Sequence, residues 1–100
     1  MPVISKVSPD NKRVDIRVTG RFDFSVHREF RDAYRDAEPD AEYCVDLTEA
    51  EYLDSSALGM LLLLHEHAGG QDGRVVLKVG APQIRKILTI AKFDRLFTIV

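Results

Sequence analysis

Serines, acids and histidines are the residues of this chain whose types and spacing bear on chemistry, and most arrangements among them can be excluded at once. There is no G-x-x-x-x-G-K-[ST] loop and no G-x-G-x-x-G between a strand and a helix, so nucleotide binding has no motif support. Gly69-Gly70-Gln71-Asp72-Gly73 follows a helical stretch. Glycines there serve as a C-cap and a turn, whereas phosphate is cradled where helices begin. His65 and His67 are two apart on a helical stretch, which aims them about 200° apart around the axis. They cannot share a metal, and His27 stands alone, so no metal and no cofactor are expected. Ser55 or Ser56 with Asp54 and a histidine would be a hydrolase set, but the G-x-S-x-G elbow is missing. Asp46 and Asp54 do not supply the paired acids of an aspartyl-phosphate receiver. The chain is expected to have no catalysis of its own.

One segment stands out. Glu51-Tyr52-Leu53-Asp54-Ser55-Ser56-Ala57-Leu58-Gly59-Met60 delivers two serines to the start of an unusually apolar helix. Asp54, Ser55 or Ser56 would each serve as an ordinary N-cap. A cap accounts for one of them and leaves the helix unexplained. Ala57 to Leu64 is apolar all round for about two turns, so this helix is either covered on every side or offers apolar surface to a partner.

The elements that position this segment follow from periodicity. Val3 to Val7 and Arg13 to Thr19 alternate around the turn cluster Ser8-Pro9-Asp10-Asn11, which describes a hairpin with Val14, Ile16 and Val18 on one face. Gly20 ends its second strand. Ser25 to Ala37 takes helical spacing through Phe30, Ala33, Tyr34 and Ala37, with Ser25 as the N-cap. Tyr43-Cys44-Val45-Asp46-Leu47 reads as a buried strand, Thr48 to Asp54 as an acidic loop, and Ser56 to Ala68 as the second helix. Arg74 to Val79 is a further strand. Pro82 opens a third helix whose buried stripe is Ile84, Ile87, Leu88 and Ala91, and Phe93 to Val100 holds a turn and a final edge strand. The order β-β-α-β-α-β-α predicts one α/β domain over residues 1–100, with a four- to five-stranded mixed sheet and about three helices.

Composition narrows the partners. The 100 residues hold 14 Lys+Arg against 16 Asp+Glu, a net charge of −2, with 45% hydrophobic residues. The basic residues are scattered rather than gathered, which argues against nucleic acid. The lone cysteine, Cys44, lies in an apolar stretch and is expected to be a buried structural thiol. The first residues carry no basic segment followed by an apolar core. The longest apolar run is less than half of the roughly 20 residues a bilayer span requires. A cytoplasmic protein with no membrane insertion is expected.

Asp54-Ser55-Ser56-Ala57-Leu58-Gly59 resembles the D-S-S-G-L-G motif of the STAS family, named for sulfate transporters and anti-sigma-factor antagonists. Arg17-Val18-Thr19-Gly20-Arg21-Phe22-Asp23 is similar to that family's R-x-x-G-x-[LF]-D signature, and Tyr43 to Leu47 occupies the place of its hydrophobic strand. Ala81 to Leu88 resembles its last helix and Phe93-Asp94-Arg95-Leu96-Phe97 its closing segment. The resemblance implies a bacterial anti-sigma factor antagonist (an anti-anti-sigma factor) with Ser55 as phosphoacceptor. Ser56 is the rival acceptor and the expected cap. The implied partner is an anti-sigma factor with a GHKL-type serine kinase fold, bound by the unphosphorylated protein, and a PP2C-type phosphatase resets the switch. Asp23, Asp54, Ser55, Ser56, Ala57, Leu58, Gly59 and Met60 are the expected docking residues, with Asp23 and Asp54 near one another. The alternative is a constitutive STAS adaptor of a transporter or membrane-associated complex. Two positions depart from the family pattern: Ala57 stands where Gly is usual, and Arg21 where an acidic residue is common. The Ala57 methyl favours the helix but would crowd a kinase approaching Ser55.

Overall fold

A computed structural model of the chain describes residues 2–70 and 74–100. Alternation sets the first two strands, β1 (Val3–Val7) and β2 (Arg13–Val18), which pair antiparallel with Val3 opposite Val18. Val14, Ile16 and Val18 are fully buried, as the period of two requires. β1 lies at the sheet edge and buries only Val3, while Ile4 and Val7 remain exposed. β4 (Glu42–Leu47) and β6 (Val75–Val79) continue the sheet in parallel, and β7 (Thr98–Ile99) closes it, giving the order β1-β2-β4-β6-β7. Cys44 is buried on β4, and burial pushes its thiol pKa up, away from the reactive thiolate. The expected mixed five-stranded sheet and three helices are present.

Two further strands were not expected. Gly20 does end β2, but with φ at +71° it turns the chain straight into β3 (Gly20–Phe22). The stretch read as an acidic loop contains β5 (Ala50–Leu53), and β3 and β5 pair in parallel as a separate two-stranded ribbon. Its anchors are apolar: Phe22 and Leu53 are register partners, and both are buried.

The helices also begin differently from the reading above. Ser25 does not cap the first one. Asp23 instead accepts the Ser25 N–H at 3.0 Å and caps a 3₁₀ turn, Phe24–Val26, that runs into α1 (His27–Tyr34), whose own N-cap, Val26, makes no side-chain cap bond. α2 spans Ser55–His67, one residue earlier than expected, and α3 spans Pro82–Ile90 with Pro82 in its first turn. On α3, Ile84 and Leu88 are buried and Ile87 half-buried, whereas Ala91 lies beyond the helix and is exposed. Gly69, with φ at +98°, ends α2 as the C-cap reading requires, and Gln71 to Gly73 lie outside the described residues.

The core is one cluster between the sheet and the helices. Phe22 and Phe30 meet with ring centroids 5.1 Å apart, and Leu61 and Leu64 of α2 and Leu88 of α3 are fully buried with them. Each such side chain stabilises the fold by about 1.5–3 kcal/mol. The packing fixes where the ribbon, and therefore the start of α2, must sit. Gly80 shows how close the backbones come: a Cβ there would lie 2.7 Å from the Thr48 carbonyl oxygen.

Candidate functional site

The ribbon carries two matching caps side by side. β3 ends at Phe22 and β5 at Leu53, which are register partners, so Asp23 and Asp54 leave the ribbon level with one another. Each is followed two residues later by a serine whose hydroxyl donates to the carboxylate: Ser25 Oγ to Asp23 Oδ1 at 2.5 Å, and Ser56 Oγ to Asp54 Oδ1 at 2.6 Å. Each carboxylate also accepts a backbone N–H, from Ser25 at 3.0 Å and from Ala57 at 3.1 Å. The cap of α2 is therefore Asp54 and not Ser56. A carboxylate accepts two bonds at once and favours the positive end of the helix dipole, so it outcompetes the hydroxyl for the position.

These bonds set the electrostatics. The Ser56 hydroxyl and then the Ala57 N–H hold the Asp54 pKa below its ordinary 3.8, against the neighbouring charge of Asp23, which pushes it up. Asp23 is held low by the Ser25 hydroxyl, the Ser25 N–H and Arg21. Their proximity follows from the ribbon register, in which the preceding residues, Phe22 and Leu53, are partners. Arg21 Nε lies 3.3 Å from Asp23 Oδ2, and its guanidinium carbon sits 4.0 Å above the centre of the Tyr52 ring.

Between the caps lies a free hydroxyl. Ser55 is the first residue of α2 and is exposed, and it makes no side-chain hydrogen bond among the described residues. The place matching Ser55 on the neighbouring strand is held by Phe24, 63% exposed and stacked on His27 at 4.0 Å. His27 Nδ1 lies 2.8 Å from the Phe24 carbonyl oxygen, which fixes the ring pair.

From Ser55 a stripe runs along α2. Gly59, Leu62 and Leu63 follow at helical spacing, all exposed, the last two at 39% and 58%. The opposite side, Ala57, Met60, Leu61 and Leu64, is buried. The helix is therefore not covered on every side: it packs one face against the core and leaves the other open. Of the expected docking residues, Asp23, Asp54, Ser55, Ser56, Leu58 and Gly59 are exposed or half-buried around the caps. Ala57 and Met60 face the core and support the surface from beneath. The Ala57 methyl points inward, so it cannot crowd anything approaching Ser55. Among the described residues, no three histidine, cysteine or acidic side chains gather where a metal could be held. None of the described helices is long and apolar enough to cross a membrane.

A family model described as "Mlab, STAS domain" matches residues 5–100. The chain belongs to the STAS domain family. A STAS-domain-containing protein of Pseudomonas aeruginosa strain UCBPP-PA14 is 50% identical over 100 residues, covering 99% of each chain. The STAS fold is also seen in an anti-sigma factor antagonist of Mycobacterium paratuberculosis, with a TM-score of 0.75 and 20% identity over 97% of this chain and 84% of that one. The phosphorylated form of the Bacillus cell-fate determinant SpoIIAA superimposes with a TM-score of 0.67 and 17% identity, covering 98% and 90%.

In this STAS domain the residues that sequence reasoning missed are Phe24, Tyr52, Leu62 and Leu63. Phe24 falls in none of the elements read from the sequence; the cap at Asp23 ends β3 after the buried Phe22 and leaves Phe24 exposed. Leu62 and Leu63 sit in a run where every position is apolar, so no periodicity separates the covered face from the open one.

Proposed function

We propose that this STAS domain is an anti-sigma factor antagonist whose docking surface is switched by phosphorylation of Ser55. The observation that carries this reading is the division of labour at the start of α2. Asp54 takes the cap and Ser56 is tied to Asp54, while Ser55 presents an exposed hydroxyl at the head of an open apolar stripe. Gly59 supports it too. A glycine inside a helix costs about 0.5–1 kcal/mol, yet a Cβ at Gly59 would meet no atom within 4 Å. Nothing inside the chain requires that glycine, and its bare backbone, one turn from Ser55, suits the close approach of a partner.

The partner in this reading is an anti-sigma factor with a GHKL-type serine kinase fold, bound through Ser55, Gly59, Leu62 and Leu63. The bound kinase transfers the γ-phosphoryl group of ATP to Ser55 Oγ. The hydroxyl proton is lost and ADP leaves. A PP2C-type phosphatase returns the serine by hydrolysis, releasing inorganic phosphate. The phosphate brings about −1.5 to −2 charge beside Asp54 and Asp23. The helix N-terminus tolerates that charge, so the domain stays folded. The apolar interface does not, and a loss of about 3 kcal/mol weakens binding roughly a hundredfold.

A second reading is favoured by the stripe itself, whose leucines do not depend on Ser55. There the domain is a constitutive adaptor of a transporter or membrane-associated complex, and Ser55 is only a first-turn residue. Capture from lysate with wild-type, Ser55→Ala, Ser55→Asp and Leu63→Asp baits, read by mass spectrometry, separates the two. A switch retains a GHKL-type kinase on wild type and Ser55→Ala and loses it on Ser55→Asp and Leu63→Asp. Retention of one partner by all three Ser55 baits, with loss only at Leu63→Asp, refutes the switch and leaves the adaptor.

A further inference from the structure

Arg21 holds a position that the docking surface does not explain. Asp23 and Asp54 stand level at the end of the ribbon, and a phosphate on Ser55 adds a dianion to the same end. Three negative groups so close need a cation. Among the described residues, Arg21 is the one cation within ion-pair distance of either aspartate.

Its reach is adequate. Arg21 is opposite Tyr52 in the ribbon register, two residues before Asp23, on the strand beside the one that delivers Asp54 and Ser55. Strand rise and strand spacing put its Cα about 8 Å from that of Asp54. An arginine side chain spans most of this distance, and the Arg21 side chain is 66% exposed and free to turn. Its present partners are weak holds. The ion pair with Asp23 is partly solvated, and the Tyr52 ring offers only its π face. A phosphate dianion is a stronger acceptor than either.

We propose that Arg21 is the counter-charge of phosphorylated Ser55: its guanidinium leaves Asp23 and Tyr52 and pairs with the phosphate once Ser55 carries one. The inference rests on Ser55 being the phosphoacceptor. It makes Arg21 a positioning residue of the phosphorylated form, with no part in binding the partner beforehand. The other charged groups beside this end of the ribbon are Asp23, His27, Arg28 and Glu29 following β3, and Glu49, Glu51 and Asp54 on and around β5.

The test uses full-length protein with phosphoserine installed at position 55 during translation, so that no kinase is needed. The second ionisation of the phosphate is followed by ³¹P NMR. With Arg21 it stays near its ordinary value of about 6 or below, despite two adjacent carboxylates. Arg21→Gln raises it by about half a unit, and Arg21→Lys restores most of the difference. An unchanged titration in Arg21→Gln overturns the assignment, as does a shift produced by Arg28→Gln instead. A lower melting temperature in Arg21→Gln without a titration shift assigns Arg21 to folding and also overturns it. Failure of the underlying reading is seen separately, as an absence of phosphate on Ser55 in protein isolated from its native cells.

Discussion

Replacing Ala57 by glycine tests the inward orientation of the one serine-motif residue that departs from the family pattern. Ala57 is fully buried in the first turn of α2, and its N–H donates to Asp54 at 3.1 Å. Ala57→Gly removes a buried methyl, about 0.8 kcal/mol of transfer free energy, and adds backbone freedom to the unfolded chain, about 0.5–1 kcal/mol. Together these predict a loss of about 1.3–1.8 kcal/mol. For 100 residues that lowers the melting temperature by roughly 6–9 °C. Circular dichroism at 222 nm against temperature, with urea titrations at one temperature, measures both quantities. Occupancy of Ser55 by phosphate, measured by peptide mass spectrometry, should be the same in the variant, because the methyl lies on the far side of the helix from the approaching partner. A melting temperature within about 2 °C of wild type would refute the packing argument. A marked rise in Ser55 phosphorylation would place the methyl on the docking side and refute the orientation.

Two further expectations follow from the same geometry. Gly80→Ala drives a Cβ to 2.7 Å from the Thr48 carbonyl oxygen, where the Leu47–Val79 pairing holds both backbones. Overpacking of this kind costs about 1–3 kcal/mol, a fall of roughly 5–15 °C in melting temperature, and an unchanged transition would mean the strands have room to part. The capping carboxylates predict the acid behaviour. Asp54 has a folded-state pKa below its ordinary 3.8 because Ser56 and Ala57 donate to the ionised form. The unfolded chain therefore takes up the proton first as pH falls. This contribution is full above the ordinary pKa and is lost as pH drops through the folded one. Asparagine still caps but does not titrate, so urea midpoints for Asp54→Asn should fall less steeply than wild type below about pH 4. Equal slopes would remove Asp54 from the acid response.

The parts of this fold that are legible in the sequence are those whose signal is local and long enough to repeat. β2 alternates over six residues, and α3 announces itself with Pro82 and the Ile84–Leu88 spacing. The ribbon has neither advantage. β3 is three residues and β5 four, too short for a period of two to show, and each depends on a partner far along the chain. Glu49 and Glu51 made β5 look like a loop, although its two ends, Ala50 and Leu53, are buried. Yet the ribbon is what turns two short Asp-x-Ser segments into one site. In sequence, Asp23-Phe24-Ser25 and Asp54-Ser55-Ser56 are separate caps, and only their parallel register brings the free Ser55 hydroxyl and the exposed Phe24 ring to the same end of the ribbon.

The serine motif was legible as chemistry for a different reason. One N-cap position cannot use three polar side chains, so at least one had to be left over. Which one was not decidable from residue types, because aspartate and serine are both good caps. The structure resolves it through bond capacity: a carboxylate accepts the Ala57 N–H and the Ser56 hydroxyl together, which consumes Ser56 as well as the cap. Ser55 is thereby left free at the point where added charge harms the helix least and an apolar interface most. A switch needs both properties at one atom. The adaptor reading needs neither, so the response of partner binding to charge at Ser55 decides between them, whatever the partner proves to be.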